Sequence, residues 1–153
     1  MSRTILGFDY GERYIGVAVG DDETGLAHPV GHFQAQRDPE RGARVEALVR
    51  EWQPAQLIIG LPLASDGAER PITARARHFG RLLAARTGLP VDFVDERLSS
   101  AMAEQTLREA GRGGRAHKNE THALAAQVIL QAWLDEQTTA ARRATQAGEG
   151  VST

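Results

Sequence analysis

The apolar run at residues 57–61, Leu-Ile-Ile-Gly-Leu, limits the fold of this chain more than any other feature. A strand without polar residues is buried on both faces, as in the centre of a parallel sheet. The segments on either side of it, at residues 39–52 and 72–86, place apolar side chains at helical spacing, and Asp38 is the predicted N-cap of the first helix. The run and its neighbours therefore predict an α/β protein.

Three more strands are predicted before this unit. Residues 4–8 and 14–19 are apolar runs joined by a short polar link that contains Gly11, which favours a β-hairpin. Residues 27–33 predict a third strand, and Pro29 within it suits the edge of a sheet.

The second half of the chain continues the alternation. Residues 91–94 predict a strand, and residues 99–110 and about 120–136 predict helices. Residues 137–153 have no apolar period, so we expect a disordered tail. The whole order predicts one domain over residues 1–136, with a mixed sheet and helices on both faces.

Composition excludes several classes of function. The chain has no cysteine, which rules out disulfide scaffolds, thiolate metal sites and cysteine nucleophiles. Its 18 Lys and Arg against 20 Asp and Glu give a net charge of −2, which excludes a globally basic nucleic-acid binder but allows a local basic patch. No apolar run approaches the roughly 20 residues of a membrane span, and residues 1–9 reach a carboxylate too early for a signal peptide. We expect a cytoplasmic protein with no membrane partner.

Carboxylates stand at the ends of two predicted strands: Asp9 ends the first, and Asp95 and Glu96 end the last. Ligands bind beyond the carboxyl ends of strands in such sheets, and side chains alternate between faces. Asp9 and one of the other two acids could therefore share a site for Mg²⁺ or Mn²⁺. The alternatives are structural, with Asp9 starting a turn and Arg97 pairing with one acid in an exposed loop.

His122 heads a helical stripe that continues through Ala126, Ile129 and Trp133. The stripe is apolar below the histidine, so a hydrogen-bonded residue at the border of the core is one interpretation, and a metal ligand is the other.

Basic residues are concentrated in two segments, and all of them except Lys118 are arginine. Guanidinium groups bind phosphate oxygens well, so the segments predict contacts to a nucleic-acid backbone, and solvated helix faces are the alternative. The candidates are Arg70, Arg75, Arg77, Arg81 and Arg86 in the first segment, Arg108, Arg112, Arg115 and Lys118 in the second, and Arg97 between them.

Four motifs follow one another along residues 3 to 135. They are Gly-Phe-Asp-Tyr-Gly with Ile-Gly-Val-Ala-Val (7–11, 15–19), Gly-Leu-Pro-Leu with Asp-Gly (60–63, 66–67), Asp-Glu-Arg-Leu-Ser-Ser (95–100), and Ala-Ala with Ile-Leu (125–126, 129–130). In this order and spacing, the chain resembles the YqgF family of pre-16S rRNA nucleases, which are related to Holliday junction resolvases. The first motif alone is weak, and the series is specific.

The resemblance implies a ribonuclease H-like fold, with three antiparallel strands followed by two parallel ones in a five-stranded sheet. It also implies a catalytic site on a divalent metal. Asp9 takes the position of the first family carboxylate, and Glu96, or else Asp95, takes the second. His122 stands where the family has a third carboxylate, which makes the implied metal ligands Asp9, Glu96 and His122. The imidazole removes one negative charge, which favours Mn²⁺ over Mg²⁺.

The implied activity is metal-assisted hydrolysis of phosphodiester bonds in structured nucleic acid, with 5′-end processing of pre-16S rRNA in ribosome biogenesis as its main form. His122 would bind the metal or act as a general acid or base. The implied partners are structured RNA or branched DNA and ribosomal precursor particles. We expect a monomer or a weak homodimer.

Three other activities remain open. A Holliday junction resolvase would cut branched DNA. A catalytically weak nucleic-acid-binding module for ribosome assembly is suggested by His122, and metal-dependent cleavage would separate it from a nuclease. A sugar-kinase or actin-like ATPase shares the Asp-x-Gly pattern but needs two such domains, for which 153 residues leave too little room.

Overall fold

The computed structural model describes residues 2–34, 36–97 and 118–151. The helix predicted over residues 99–110 lies outside this part of the chain. The described elements, in order, are β1 (Thr4–Tyr10), β2 (Tyr14–Asp21), β3 (Leu26–Gln34), α1 (Asp38–Trp52), β4 (Gln56–Leu61), α2 (Pro71–Thr87), β5 (Val91–Asp95) and α3 (Lys118–Val151).

The strands form one five-stranded sheet in the order β3-β2-β1-β4-β5. β2 pairs antiparallel with both β1 and β3, whereas β4 pairs parallel with both β1 and β5. The predicted arrangement of three antiparallel and two parallel strands is therefore confirmed. Because β1 lies in the middle, its last residues stand between the start of β2 and the end of β4.

The two faces of the sheet bury different side chains, as strand alternation requires. Leu6 and Phe8 of β1 pack in the core beneath α1 and α2. Ile5, on the opposite face, packs against Ile129 and Leu130 of α3. Helices thus cover both faces, as predicted.

The face that α3 covers has glycines where the helix comes closest. A Cβ atom added at Gly16 of β2 would lie 2.0 Å from the carbonyl oxygen of His122, and one added at Gly7 of β1 would lie 2.8 Å from Cβ of Leu130. The helix therefore lies directly on the strand backbones, which side chains at these positions would prevent.

The N-termini of α1 and α2 depart from simple capping. Asp38 was predicted to cap α1, but the N-cap is Arg37, without a side-chain cap hydrogen bond, and Asp38 lies in the first turn. In α2, the backbone N–H of Arg70 donates to Oγ1 of Thr73, at 3.0 Å. The Thr73 hydroxyl in turn donates to the carbonyl of Pro62, so it joins the start of α2 to the end of β4.

The last helix is longer than predicted. It was expected to end near Glu136, and it continues to Val151. Residues 135–144 are exposed, so this part of α3 contributes nothing to the core. Alanine has a high helix propensity, so an alanine-rich segment can be helical without a periodic apolar face. The chain is helical through Val151, where a disordered tail was expected. The domain boundary at residue 136 stays a prediction. None of the described helices is both long and apolar enough to cross a bilayer.

β3 is an edge strand, as Pro29 suggested, and α3 reaches over part of its free edge. The side chain of Gln131 accepts a hydrogen bond from the N–H of Ala27, at 3.0 Å. The side chain of Gln127 donates to the carbonyl of Ala27, at 2.9 Å. These bonds satisfy backbone groups that an edge strand otherwise leaves unpaired.

Candidate active site

Asp9 lies at the end of β1 on the face covered by α3. Its partner on β2 is Gly16, and its partner on β4 is Gly60. Paired residues on neighbouring strands point to the same face, so both neighbours of Asp9 on that face lack a side chain. No side chain of these strands stands beside the carboxyl group, and the space is taken instead by α3 and Glu96: the carbonyl of His122 lies over Gly16, and Ile129 lies over Gly60.

Glu96 fills part of that space. It follows β5 directly, and its Oε2 lies 3.3 Å from the position that a Cβ atom at Gly60 would take. Oε2 is buried and has no hydrogen-bond partner. A buried carboxylate oxygen without a partner is unfavourable, which makes it a place for a proton or a cation.

The two carboxyl groups interact strongly. Burial raises the pKa of Asp9, and a hydrogen bond with the Glu96 side chain partly offsets the rise. Burial, the charge of Asp9 and the hydrogen bond to Asp9 together raise the pKa of Glu96 to about 8, with a smaller effect from Asp95. Two acids that share one site cannot both ionise easily. At neutral pH the pair therefore favours sharing one proton over carrying two negative charges.

Asp95 points to the other face and has its own partner. Its carboxylate accepts hydrogen bonds from the Arg97 guanidinium and from the Arg97 backbone N–H. The Arg97 side chain holds the pKa of Asp95 below its usual range. Of the two adjacent acids, Glu96 is thus the one beside Asp9, and the alternative of Asp95 loses its geometric basis.

His122 lies among rings. Its imidazole stacks on Tyr14 at 4.9 Å between ring centroids and lies 5.8 Å from His32. Burial and the charge of His32 lower the pKa of His122. Sequence reasoning missed Tyr14 and His32 because they belong to β2 and β3, which only the sheet brings beside the start of α3.

The structure joins Asp9 with Glu96 but does not complete the predicted trio. Within the described ranges, no group of three His, Cys, Asp or Glu side chains is arranged to hold a metal ion. The role of His122 as a ligand or proton carrier stays a prediction.

The predicted phosphate-binding arginines are divided between free and engaged groups. Arg70 is exposed at the start of α2, whereas Arg75 lies 3.6 Å from Glu12. Arg77 pairs with Glu69 at 2.5 Å, and Arg97 pairs with Asp95. Arg108, Arg112 and Arg115 lie outside the described residues, and Lys118 begins α3. Arg86 joins α2 to Glu46 of α1, and Arg81 is exposed on α2.

Comparison with known proteins identifies the family of the chain. Residues 3–136 match the family described as RuvX, Holliday junction resolvase. A protein of Methylobacillus flagellatus named "Putative pre-16S rRNA nuclease" is 47% identical over 131 residues, which covers 86% of this chain and 90% of the relative. A protein of Dechloromonas aromatica with the same name is also 47% identical, over 132 residues, with coverage of 86% and 90%.

Solved structures show the same fold. The RuvC protein of Thermus thermophilus in complex with a Holliday junction substrate has a TM-score of 0.57 and 17% identity, and covers 88% of this chain and 96% of that one. The yeast mitochondrial Holliday junction resolvase Ydc2 has a TM-score of 0.54 and 12% identity, with coverage of 85% and 77%. The predictions of the family, of the ribonuclease H-like fold and of a hydrolytic nuclease are thus confirmed. From residue 3 to residue 136, this chain belongs to the RuvX family of Holliday junction resolvase-like proteins.

Proposed function

We propose that this protein is a divalent-cation-dependent nuclease that hydrolyses phosphodiester bonds of structured RNA. The observation that carries the proposal is the crowded pair of Asp9 and Glu96, with the unpartnered Oε2 of Glu96 at the carboxyl edge of the sheet. Such an acid pair suits a nuclease because a bound cation relieves its repulsion and opposes the charge of a phosphate.

The donor set of the pair fits Mg²⁺ or Mn²⁺. Both ions prefer oxygen ligands, and two carboxylates leave further coordination positions for water and phosphate oxygens. A bound cation would supply activation of a water and stabilisation of the leaving oxygen. A contribution from His122 would favour Mn²⁺, because that ion accepts nitrogen ligands more readily.

The chain's own residues prepare the site for this ion. Asp9 and Glu96 would hold it, and Gly16 and Gly60 place no strand side chain beside the carboxyl of Asp9. The buried Thr73 fixes the end of β4 to the start of α2, and there the exposed Arg70 can approach a phosphate of the substrate.

The substrate we infer is the 5′ region of pre-16S rRNA. Relatives at 47% identity carry pre-16S rRNA in their names and match the chain over nearly the whole ribonuclease H-like region. A function in ribosome biogenesis would make ribosomal precursor particles a partner and the cytoplasm the site of action. A monomer or a weak homodimer would suffice for cutting one strand.

A Holliday junction resolvase is the second candidate, because the family description names that activity. It makes a different demand on the molecule. Two strands must be cut symmetrically, so a resolvase needs two active sites related by a twofold axis. Molar mass in solution with a bound four-way junction would separate the candidates.

The direct test is cleavage of a pre-16S rRNA fragment and of a four-way DNA junction by the same protein. Each reaction is run with Mg²⁺, with Mn²⁺ and with EDTA. We expect cation-dependent cleavage of the RNA, and loss of at least a hundredfold in rate for Asp9→Asn and for Glu96→Gln, because each removes a ligand charge and keeps the shape.

Asp22→Asn is the matched control, since Asp22 lies at the opposite edge of the sheet and pairs with Arg3. It should cleave at the natural rate. If the protein binds RNA but cleaves it in none of the three conditions, it is a nucleic-acid-binding module and not a nuclease. Cleavage of the junction alone would favour the resolvase.

A further inference from the structure

A cavity beside the end of β1 carries a group of arginines that the proposed site does not use. It has a volume of about 440 Å³ and lies between the β1–β2 turn, the start of α1 and the first turns of α2. We name it the arginine pocket, because Arg37, Arg41 and Arg75 bring positive charge to it. The other residues that line it are Tyr10, Glu12, Gln36, Asp38 and Pro39. No single sequence motif contains these residues, because they come from three separate segments.

Arg41 is the fixed base of the arginine pocket. Only 3% of it is exposed, and its guanidinium lies 5.1 Å from the ring centroid of Tyr10. It donates to the carbonyl of Glu12, and its Nη1 lies 3.7 Å from Asp38. A buried guanidinium held by a backbone carbonyl, a carboxylate and a ring keeps its orientation before any ligand arrives.

The two other arginines are available at the mouth. Arg37 is exposed and forms no ion pair with any residue that the structure describes. Arg75 lies 3.6 Å from Glu12, with 61% and 68% of the two side chains exposed. A pair so exposed contributes little energy, so a stronger anion can displace Glu12. Three guanidinium groups against two carboxylates leave the pocket with a positive charge.

A phosphate group suits this arrangement. Guanidinium groups bind phosphate oxygens through paired hydrogen bonds, and positive charge that is only partly neutralised favours a dianion or a chain of monoanions. The pocket also lies at the first turn of α1, where the helix dipole adds partial positive charge.

The position of the pocket connects it with the acid pair. Tyr10 directly follows Asp9 in β1, and the two side chains point to opposite faces of the sheet. The pocket and the acid pair therefore open at the same edge, on either side of the end of β1. A chain of phosphates that passes the acid pair can cross the β1–β2 turn and reach the pocket.

We propose that the arginine pocket binds a backbone phosphate of the nucleic-acid strand. This phosphate lies further along the strand than the bond at which Asp9 and Glu96 would act. The pocket then determines the direction in which the substrate leaves the site, over α1 and α2. This inference rests on the proposed function for the identity of the cleaved bond, but the binding itself does not require cleavage.

The test measures binding in EDTA, where no cation supports cleavage. A fluorescein-labelled RNA strand of roughly 20 nucleotides is titrated with the full-length protein, and anisotropy is recorded at several salt concentrations. Arg37→Ala and Arg75→Ala should each weaken binding about five- to tenfold and reduce the slope of log K against log salt by about 1. Glu12→Gln should strengthen binding about two- to threefold, because it releases Arg75.

Arg50→Ala is the matched control, as it removes the same charge from the exposed, distant end of α1. Its affinity should stay within twofold of the natural protein. Equal losses for Arg37→Ala and Arg50→Ala would overturn the pocket, as would no binding of RNA by the natural protein. Sodium phosphate, added as a competitor, distinguishes a phosphate of the nucleic acid from a free phosphate ion. If Arg37→Ala does not change the affinity for RNA while phosphate still displaces it, the pocket binds a free anion instead.

Cleavage separates this inference from the proposed function. If RNA binding follows the expected pattern and no cation supports cleavage, the pocket stands and the nuclease fails. If the protein cleaves RNA and Arg37→Ala leaves KM unchanged, the nuclease stands and the pocket fails.

Discussion

At the scale of single residues, the proposed chemistry depends on two acids that the sheet brings together. Asp9 and Glu96 come from the end of β1 and the residue after β5, which are separated by β4, and Gly60 is the residue of β4 that lies beside both of them. A larger residue at position 60 would keep the carboxyls apart. The glycine therefore lets two carboxyl groups crowd, and the crowding stores the electrostatic repulsion that a cation can relieve.

The acid pair predicts a pH-dependent stability. The pKa of Glu96 is about 8 in the folded protein against 4.5 as its ordinary value, so the folded state binds the proton more tightly than the unfolded state. Without a cation, the free energy of unfolding should therefore fall as the pH rises from about 4.5 to about 8, by up to roughly 5 kcal/mol in total. Chemical denaturation in EDTA at several pH values measures this loss.

Two variants decide whether Glu96 is the cause. Glu96→Gln should remove most of the pH dependence, and Glu136→Gln, an exposed acid on α3, should keep it. Added Mg²⁺ or Mn²⁺ should restore the stability lost at high pH. A natural protein whose stability is constant between pH 5 and pH 8 would contradict the crowded pair.

His122 gives a second prediction at this scale. His122→Asp adds the negative charge that the family has at this position, so it should shift cleavage from a preference for Mn²⁺ toward Mg²⁺. His122→Asn is the control, because it loses the stacking on Tyr14 equally but adds no charge. Cleavage rates are measured against the concentration of each metal. Identical metal preferences in the two variants would show that this side chain does not reach the cation.

The sequence was informative about the acids and less so about the histidine. Alternation along a strand already required that only one of Asp95 and Glu96 could lie on the face of Asp9. The register of β4 with β5 places Asp95 opposite Leu61, on the other face, so the residue on the face of Asp9 is Glu96. The stripe through Trp133 correctly placed His122 at the border of the core. Its ring neighbours depend on the pairing of β2 with β3, which local spacing does not contain.

At the scale of elements, contact between α3 and the sheet depends on small residues. The carbonyl of His122 is so close to Gly16 that a methyl group there must displace the helix. Gly16→Ala should therefore destabilise the protein by roughly 3 kcal/mol or more. Urea denaturation monitored by circular dichroism measures the loss.

Gly25→Ala is the comparison for that variant. Gly25 has a φ of +70° and no atom near its missing side chain, so only backbone strain opposes alanine, at about 1 kcal/mol. Equal losses in the two variants would mean that α3 can move off the sheet without cost.

Element ends were harder to predict than elements. Apolar periodicity found the strands and helices because burial determines it. The ends of α1 and α3 are exposed, so no core residue marks them. Thus Arg37 is the N-cap of α1, where Asp38 was expected. The exposed end of α3 is stabilised by helix propensity and not by packing.

At the scale of the whole molecule, the ribonuclease H-like domain should be independent of the exposed part of α3. A chain that ends at Glu136 keeps the buried Trp133 and Leu134, so its thermal midpoint should stay within about 3 °C of the full chain. A chain that ends at Val128 loses Ile129 and Leu130 as well and should not fold. A large loss of stability in the longer variant would show that residues 137–153 belong to the domain.

The order of the strands along the chain and the antiparallel start of the sheet could be predicted, because apolar runs, a hairpin link and an edge proline each mark one of them. The arginine pocket could not, since residues 10–12, 36–41 and 75 meet only when α1 and α2 pack on the finished sheet.

The glutamines of α3 that bond to Ala27 have a consequence for the behaviour of the protein at high concentration. An open β-edge invites another chain to add a strand, and repeated addition leads to fibrils. Gln127 and Gln131 occupy the backbone groups that an incoming strand would need first, and the irregular pairing opposite Val17 and Ala18 distorts the edge further along. The same helix that packs on the face of Asp9 thus also protects the molecule against polymerisation through its edge strand.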